Sequence, residues 1–304
     1  MNRNNSWFEQ VALLVDLIPL VSEEPCFALK GGTAINLFIR DMPRFSVDID
    51  LVYLPDAGRQ KALDDIRSAL DRISSRVADT FSGIRITKSY QSKADALRLV
   101  VDRAGTTVKI ELSPVLRGTV FDVATRSVSS SVEESFGYAE MAVVSHADLY
   151  AGKICAALDR QHPRDLFDVM LLLENEGYTA EIHKALLVYL ISHPRPLDEL
   201  LVPNLQSLDT MFAGEFSGMA FREVTQAELE QARQTIIEKM NGALAPDEKR
   251  FLLSFQQQQA DWKKVALEGV EHLPAIRWKQ RNLARMSEEK RVAAVEKLRQ
   301  VLAL

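Results

Sequence analysis

Asp48-Ile49-Asp50 places two carboxylates one residue apart. On a strand, alternate side chains share a face, so Asp48 and Asp50 would point one way and Val47, Ile49 and Leu51 the other. Two like charges side by side repel, and a cation relieves them. Magnesium takes oxygen ligands, commonly one or two carboxylates together with substrate phosphates. The same pair could also close a solvent-facing strand, so the neighbouring residues decide. Gly31-Gly32-Thr33 lies just upstream, between a short apolar run and a helical pattern. Glycines let backbone amides approach a polyphosphate, and a helix N-terminus adds unpaired N–H groups and a positive dipole end. A tight turn with Thr33 as N-cap would use the same residues without any phosphate. In Val108-Lys109-Ile110-Glu111-Leu112, Lys109 and Glu111 share one face, and Glu111 offers a third carboxylate if this strand lies beside the first. Two metal ions about 3.5–4 Å apart could then clamp the attacking and leaving oxygens of a phosphoryl transfer.

Further on stand Lys153 and the run Asp159-Arg160-Gln161-His162-Pro163-Arg164-Asp165-Leu166-Phe167-Asp168. Lys153 falls mid-helix, where it is either a surface lysine laid along apolar neighbours or a triphosphate contact. Arg164 and Asp168 are four apart and could form a surface pair. His162 precedes Pro163 at a helix start and reads as a cap or loop residue. The five histidines and two cysteines show no zinc-ligand spacing.

These residues need a framework. Apolar spacing predicts a helix over 6–20, a short strand over 26–29, a helix over 33–40, a strand over 47–53 and a charged helix over 59–77. Strands follow at 84–90, 96–102 and 107–112, with a hairpin turn at Arg103-Ala104-Gly105-Thr106. Ser145 can cap a helix that continues to Arg160, with Asp148 at capping-box spacing, and Pro163 opens the next one. Beyond it the pattern is almost wholly helical. A mixed α/β half therefore gives way to a helical half near 140–180.

Composition bounds the rest. The 304 residues suit two domains, and 47% apolar with 26% charged residues is ordinary for a soluble globular protein. A net charge of −5 gives no global signature of nucleic-acid binding. Cys26 and Cys155 cannot build a disulfide framework and suit a reducing cytoplasm. The N-terminus lacks a basic stretch followed by an apolar one, so no signal peptide is expected. Apolar runs such as 11–20 are too short to span a bilayer. The expectation is a cytoplasmic protein with no membrane partner.

The chain resembles the AbiEii/AbiGii-type nucleotidyltransferase toxins, within the DNA polymerase β-like nucleotidyltransferase superfamily. The resemblance rests on residues 27–38 (FALKGGTAINLF), 43–51 (PRFSVDIDL), 109–112 (KIEL), 153–160 (KICAALDR) and 163–168 (PRDLFD). It extends through 216–219, 248–254 and 273–279, and so covers nearly the whole chain. It implies an α+β nucleotidyltransferase domain over 1–175, with a mixed sheet flanked by helices, then a helical domain over 176–304. Gly31 and Gly32 would cradle the triphosphate of an NTP, with Thr33 and Ser46 beside it. Asp48, Asp50 and Glu111 would bind Mg2+, or Mn2+ in its place. Lys153 would contact phosphate, and Asp165 and Asp168 both fit the last acidic motif. Glu111 or Asp50 is placed to accept the proton of the attacking hydroxyl.

The resemblance also implies a toxin of a bacterial toxin–antitoxin or phage-defence system, controlled by an antitoxin from a neighbouring gene. Its reaction would move a nucleoside monophosphate to RNA, typically the acceptor end of tRNA, and block translation. A protein or small-molecule hydroxyl is the alternative acceptor, and a non-catalytic nucleotide-binding regulator is the alternative class. The tail from His272 onward carries eight Lys/Arg against three Glu. Arg277, Lys279 and Arg281 are candidate phosphate contacts there, although the same stretch also reads as a packed helix with a solvated face. Arg40, Arg44 and Arg164 flank the motifs and are candidates to meet an incoming acceptor strand.

Overall fold

The computed structural model describes residues 6–93, 95–265 and 267–304. The chain divides into two compact units. The first comprises the residues up to Ser145 together with Met219–Arg222, and the second His146–Gly218 with Glu223–Leu304.

The first unit is built on seven strands: β1 (Phe27–Lys30), β2 (Asp48–Tyr53), β3 (Ile84–Lys88), β4 (Arg98–Arg103), β5 (Thr106–Leu112), β6 (Ala124–Ser127) and β7 (Glu140–Val143). They form one mixed sheet in the order β3-β4-β5-β2-β1-β7-β6. The central strand β2 pairs antiparallel with β1 and parallel with β5. Burial alternates along β5 and over Asp48–Leu51 of β2 as the sequence predicts, after which Val52 and Tyr53 are buried as well. Ile49, Leu51, Val108, Ile110 and Leu112 are buried, while Asp48, Asp50 and Glu111 are partly open and Lys109 is exposed. Helix α1 (Ser6–Ser22) and helix α3 (Arg59–Thr80) pack on the sheet through apolar residues at three- and four-residue spacing, among them Val11, Leu14 and Ile18, and Leu63, Ile66, Leu70 and Ile73. Helix α1 continues through Pro19 to Ser22, two residues beyond the expected end at 20.

The helix expected over 33–40 starts earlier and winds wider. A turn α2 (Gly31–Thr33) passes directly into a π-helical segment, Ala34–Ile39. Its i→i+5 bonds are exemplified by Arg40 N donating to Ile35 O at 2.8 Å. Beyond β5 come two strands and a helix that local pattern did not reveal: β6, α4 (Ser130–Phe136) and β7. The four residues of β6 are all exposed, so no alternation marks that strand.

The second unit is helical. It holds α5 (His146–Arg160), α6 (Pro163–Asn175), α7 (Ala180–Ser192), α8 (Leu197–Leu201), α9 (Asp209–Met211), α10 (Gln226–Ala243), α11 (Pro246–Gln256), α12 (Pro274–Ala284) and α13 (Glu288–Leu302). Helix α5 packs on α6 and α7, and α6 on α10. The free thiols Cys26 and Cys155 lie one in each unit. Among the described residues, no helix is long and apolar enough to cross a membrane.

Candidate active site

The acidic strand and the glycine turn meet at close range. Lys30 pairs with Asp50 across β1 and β2, so the chain leaves β1 beside the second aspartate. Gly31 then adopts φ +74°, a left-handed conformation that favours glycine. A Cβ built there would lie 2.5 Å from Asp50 Oδ2. Glycine is therefore required twice over at this position, by backbone angle and by space. At Gly32 a Cβ would meet Arg44 Nη2 at 2.9 Å and Ser46 Oγ at 3.0 Å.

Thr33 does not cap the helix; its backbone is already helical. Its buried hydroxyl donates to the Asp48 carbonyl at 2.5 Å and lies 3.0 Å from Ser46 Oγ. A hydroxyl has one proton, so the Ser46 O–H must donate to Thr33. This chain fixes the start of β2 to the glycine turn. The preceding loop is held from its other side, where Phe45 N donates to Met219 O at 3.1 Å and Phe221 N to Pro43 O at 2.9 Å.

Residues directly opposite in a ladder share a face. Asp50 pairs with Glu111 across β2 and β5, and Glu111 with Arg98 across β5 and β4. One cross-strand row therefore reads Lys30, Asp50, Glu111, Arg98. In the next row Asp48 pairs with Lys109. The three acids expected from the sequence do share one face, yet Glu111 is already engaged, with Arg98 Nε 2.7 Å from its Oε1. Arg98 is a site residue that sequence reading missed, because its relation to Glu111 exists only in the sheet register. Among the described residues, no three acidic, histidine or cysteine side chains are assembled as a metal-holding cluster. The pair Asp48 and Asp50 nonetheless fits a magnesium ion that arrives with a triphosphate, since such an ion needs only one or two protein carboxylates.

The later motif residues cluster inside the helical unit. Lys153 on α5 is 6% exposed and is no surface lysine. Its Nζ lies 2.8 Å from Asp165 Oδ1 and 3.1 Å from Asp168 Oδ2, both on α6 and 1% and 0% exposed. Arg160 adds a two-pronged contact to Asp165, Nε to Oδ2 at 2.5 Å and Nη2 to Oδ1 at 3.0 Å. Burial pushes the Asp165 carboxyl up, but the charges of Lys153 and Arg160 outweigh it and hold the group well below the usual carboxylate range. The surface pair Arg164–Asp168 is not formed as a surface pair: Asp168 turns inward to Lys153. His162 caps α6, as read from the sequence, with Nδ1 accepting from Arg164 N at 3.1 Å. That bond requires Nδ1 to be unprotonated, so Nε2–H donates to Glu215 at 2.9 Å.

The candidate nucleic-acid contacts fall into three groups by exposure. Arg44 is 3% exposed, with Nη1 donating to Phe45 O at 2.7 Å beneath the glycine turn. It is placed to hold that turn rather than to meet an RNA strand. Lys279 is buried too, its Nζ donating to the carbonyls of His193, Pro194 and Arg195 at 2.6, 3.4 and 3.2 Å. It closes the C-terminal end of α7, where a cation suits the helix dipole, although burial pushes its pKa down to about 8. Arg277 and Arg281 are exposed one turn apart on α12, with Arg285 a further turn on. Arg40 and Arg164 are half-buried.

The model of the family described as nucleotidyl transferase AbiEii toxin, type IV toxin–antitoxin system, matches residues 12–282. The chain belongs to the AbiEii nucleotidyltransferase toxin family. Among solved structures, this AbiEii toxin is similar to MenT4, a nucleotidyltransferase toxin from Mycobacterium tuberculosis H37Rv, with a TM-score of 0.62 over 99% of this chain and 95% of that one. At 14% identity that likeness carries the fold. The expected mixed sheet flanked by helices is thus borne out, and so is the family resemblance. A search of curated proteins finds no match to this AbiEii toxin.

Proposed function

We propose that this AbiEii-family toxin moves a nucleoside monophosphate from an NTP to an RNA hydroxyl, at the acceptor end of tRNA, in a magnesium-dependent step that blocks translation. The observation that carries the reading is the register of Asp48, Asp50 and Glu111 on one sheet face, with the Gly31 turn closed against Asp50. Phosphoryl transfer asks little covalent chemistry of the protein; positioning and charge neutralisation dominate. Asp48 and Asp50 would hold the ion, which supplies charge neutralisation on the phosphates and orients them. The turn at Gly31 and Gly32 brings backbone close to the triphosphate without a side chain in the way. The acceptor oxygen attacks the α-phosphorus, the α–β bridging bond breaks, and pyrophosphate leaves. Asp50 is the carboxylate best placed to take the hydroxyl proton, since Glu111 is held by Arg98.

An RNA acceptor is supported by cations at the margin of the acid row, Lys30, Lys109 and Arg98, and by exposed Arg277 and Arg281 on the helical unit. The family's type IV toxin–antitoxin setting supports control by an antitoxin encoded in a neighbouring gene. The test is label transfer: the protein, magnesium, total tRNA and each α-labelled triphosphate in turn, with Asp48→Asn as control. Label on tRNA from one triphosphate, absent in the variant, is the expected result. Label on protein in lysate but not on RNA would move the acceptor to a protein hydroxyl. No transfer to any acceptor would overturn the enzymatic reading.

A further inference from the structure

We infer that Arg98, pinned by Glu111, is the second cation of this site, so that the acid row takes one divalent ion rather than two. The inference rests on the reading above, in which Asp48 and Asp50 hold that ion. Glu111 then is a positioning residue that acts through Arg98, and Arg98 is the group that meets the triphosphate.

Three observations carry it. The first is that the Arg98–Glu111 pair is built into the sheet. The two residues are directly opposite in the β4–β5 ladder, and that hairpin's register is fixed by a two-residue turn, Ala104-Gly105, with positive φ at both positions. The second is the geometry of the contact. Glu111 takes the guanidinium through Nε at 2.7 Å. A guanidinium is planar, permanently charged and has five N–H donors. The other donors of Arg98 have no partner among the described residues, and the side chain is 45% exposed. They suit phosphate oxygens, which arginine binds in two-pronged fashion. The third is charge balance on the face. Asp48, Asp50 and Glu111 are matched by Lys30, Lys109 and Arg98 in the same two rows. Glu111 has its cation in contact, Arg98, so the row leaves two carboxylates, Asp48 and Asp50, for one ion; with Lys30 and Lys109 opposite them in the ladder, one magnesium ion leaves the face positive for a triphosphate.

The test counts metal directly. Mn2+ bound per chain is measured by electron paramagnetic resonance on the full-length protein, with each α,β-methylene nucleoside triphosphate in turn. The expected counts are one for the wild type, two for Arg98→Ala as Glu111 is released, and one again for the Arg98→Ala/Glu111→Gln double variant. Glu111→Gln alone is expected to keep the count at one while weakening the triphosphate analogue at least tenfold, because the guanidinium loses its anchor. Two Mn2+ in the wild type, one in a folded Arg98→Ala, or loss of Mn2+ in Glu111→Gln would each overturn the inference and leave the proposed function standing. Should Arg98→Ala fail to fold, the wild-type count and the Glu111→Gln affinity decide: two Mn2+ in the wild type, or an unchanged analogue affinity in Glu111→Gln, overturns the inference. No Mn2+ in the wild type with any analogue would instead overturn the proposed metal site, and the inference with it.

Discussion

Lys153 and Asp165 form a buried ion pair, Nζ to Oδ1 2.8 Å, with Asp168 as the second carboxylate on the same ammonium. With Arg160 the cluster holds two cations and two anions, so it is neutral as a whole. A neutral buried network is tolerated, but removal of one member leaves an uncompensated charge, at a cost of about 3–5 kcal/mol. Lys153→Met is therefore expected to destabilise the helical unit by about that amount in urea unfolding. The triple variant Lys153→Met/Asp165→Asn/Asp168→Asn removes the stranded charges and is expected to recover part of the loss. A fully stable Lys153→Met would show that the two aspartates do not depend on it.

Gly31→Ala tests the glycine turn. The left-handed φ alone costs an alanine about 1–2 kcal/mol, and its Cβ would stand 2.5 Å from Asp50 Oδ2. Something must move, and the side chain of Asp50 moves more readily than the backbone. The variant is expected to keep its far-ultraviolet circular dichroism and to lose at least a hundredfold in nucleotide transfer. Transfer within a fewfold of wild type would mean that Asp50 tolerates displacement.

Much of the first unit was legible because its chemistry lies in local pattern. The alternation around Asp48 and Asp50, the apolar run before Gly31, and the Lys109/Glu111 face all follow from period two, and the structure keeps each of them. What was not legible depends on register or on distant packing. Arg98 finds Glu111 only once β4 and β5 are aligned. Lys153, twelve and fifteen residues before its partners, reads as a surface lysine or a phosphate contact, and its buried pairing exists only once α5 and α6 are packed. Asp168 sits four after Arg164 and so invited the pairing that the fold does not make. The π-helical turn escaped for a different reason: its wider winding has no composition of its own, and it is rare enough that an α-helix is the default expectation.

The β4–β5 hairpin offers a test of the turn on which the Arg98–Glu111 register depends. Its two central residues, Ala104 and Gly105, have φ of +53° and +91°. Both must be left-handed in such a turn, where Asn-Gly is strongly preferred and alanine is not. Ala104→Asn is expected to stabilise the protein by about 0.5–1 kcal/mol through relief of that strain. Thermal unfolding of the variant measures it. Destabilisation would argue against this turn geometry, and with it against the ladder that sets Arg98 opposite Glu111.

Two histidines give the helical unit a pH dependence with a definite sign. Burial lowers the pKa of His162 below 6.5, more than the Glu215 contact raises it. Burial likewise lowers His193, opposed by Asp159. For both, the unfolded chain binds a proton more readily than the folded one. Stability is therefore complete above about pH 6.5 and falls as pH drops below it, by at most about 1.4 kcal/mol per pH unit for each group. The loss sets in at higher pH than the loss from carboxylates such as Asp165, whose folded-state pKa is low. At His162 the mechanism is local: a proton on Nδ1 removes the acceptor that caps α6. Asparagine keeps a capping acceptor and does not titrate. Urea unfolding from pH 7.5 to 5.5 should show the wild type losing stability steadily, and His162→Asn losing less of it. Equal slopes in the two proteins would place the titration elsewhere than at the α6 cap.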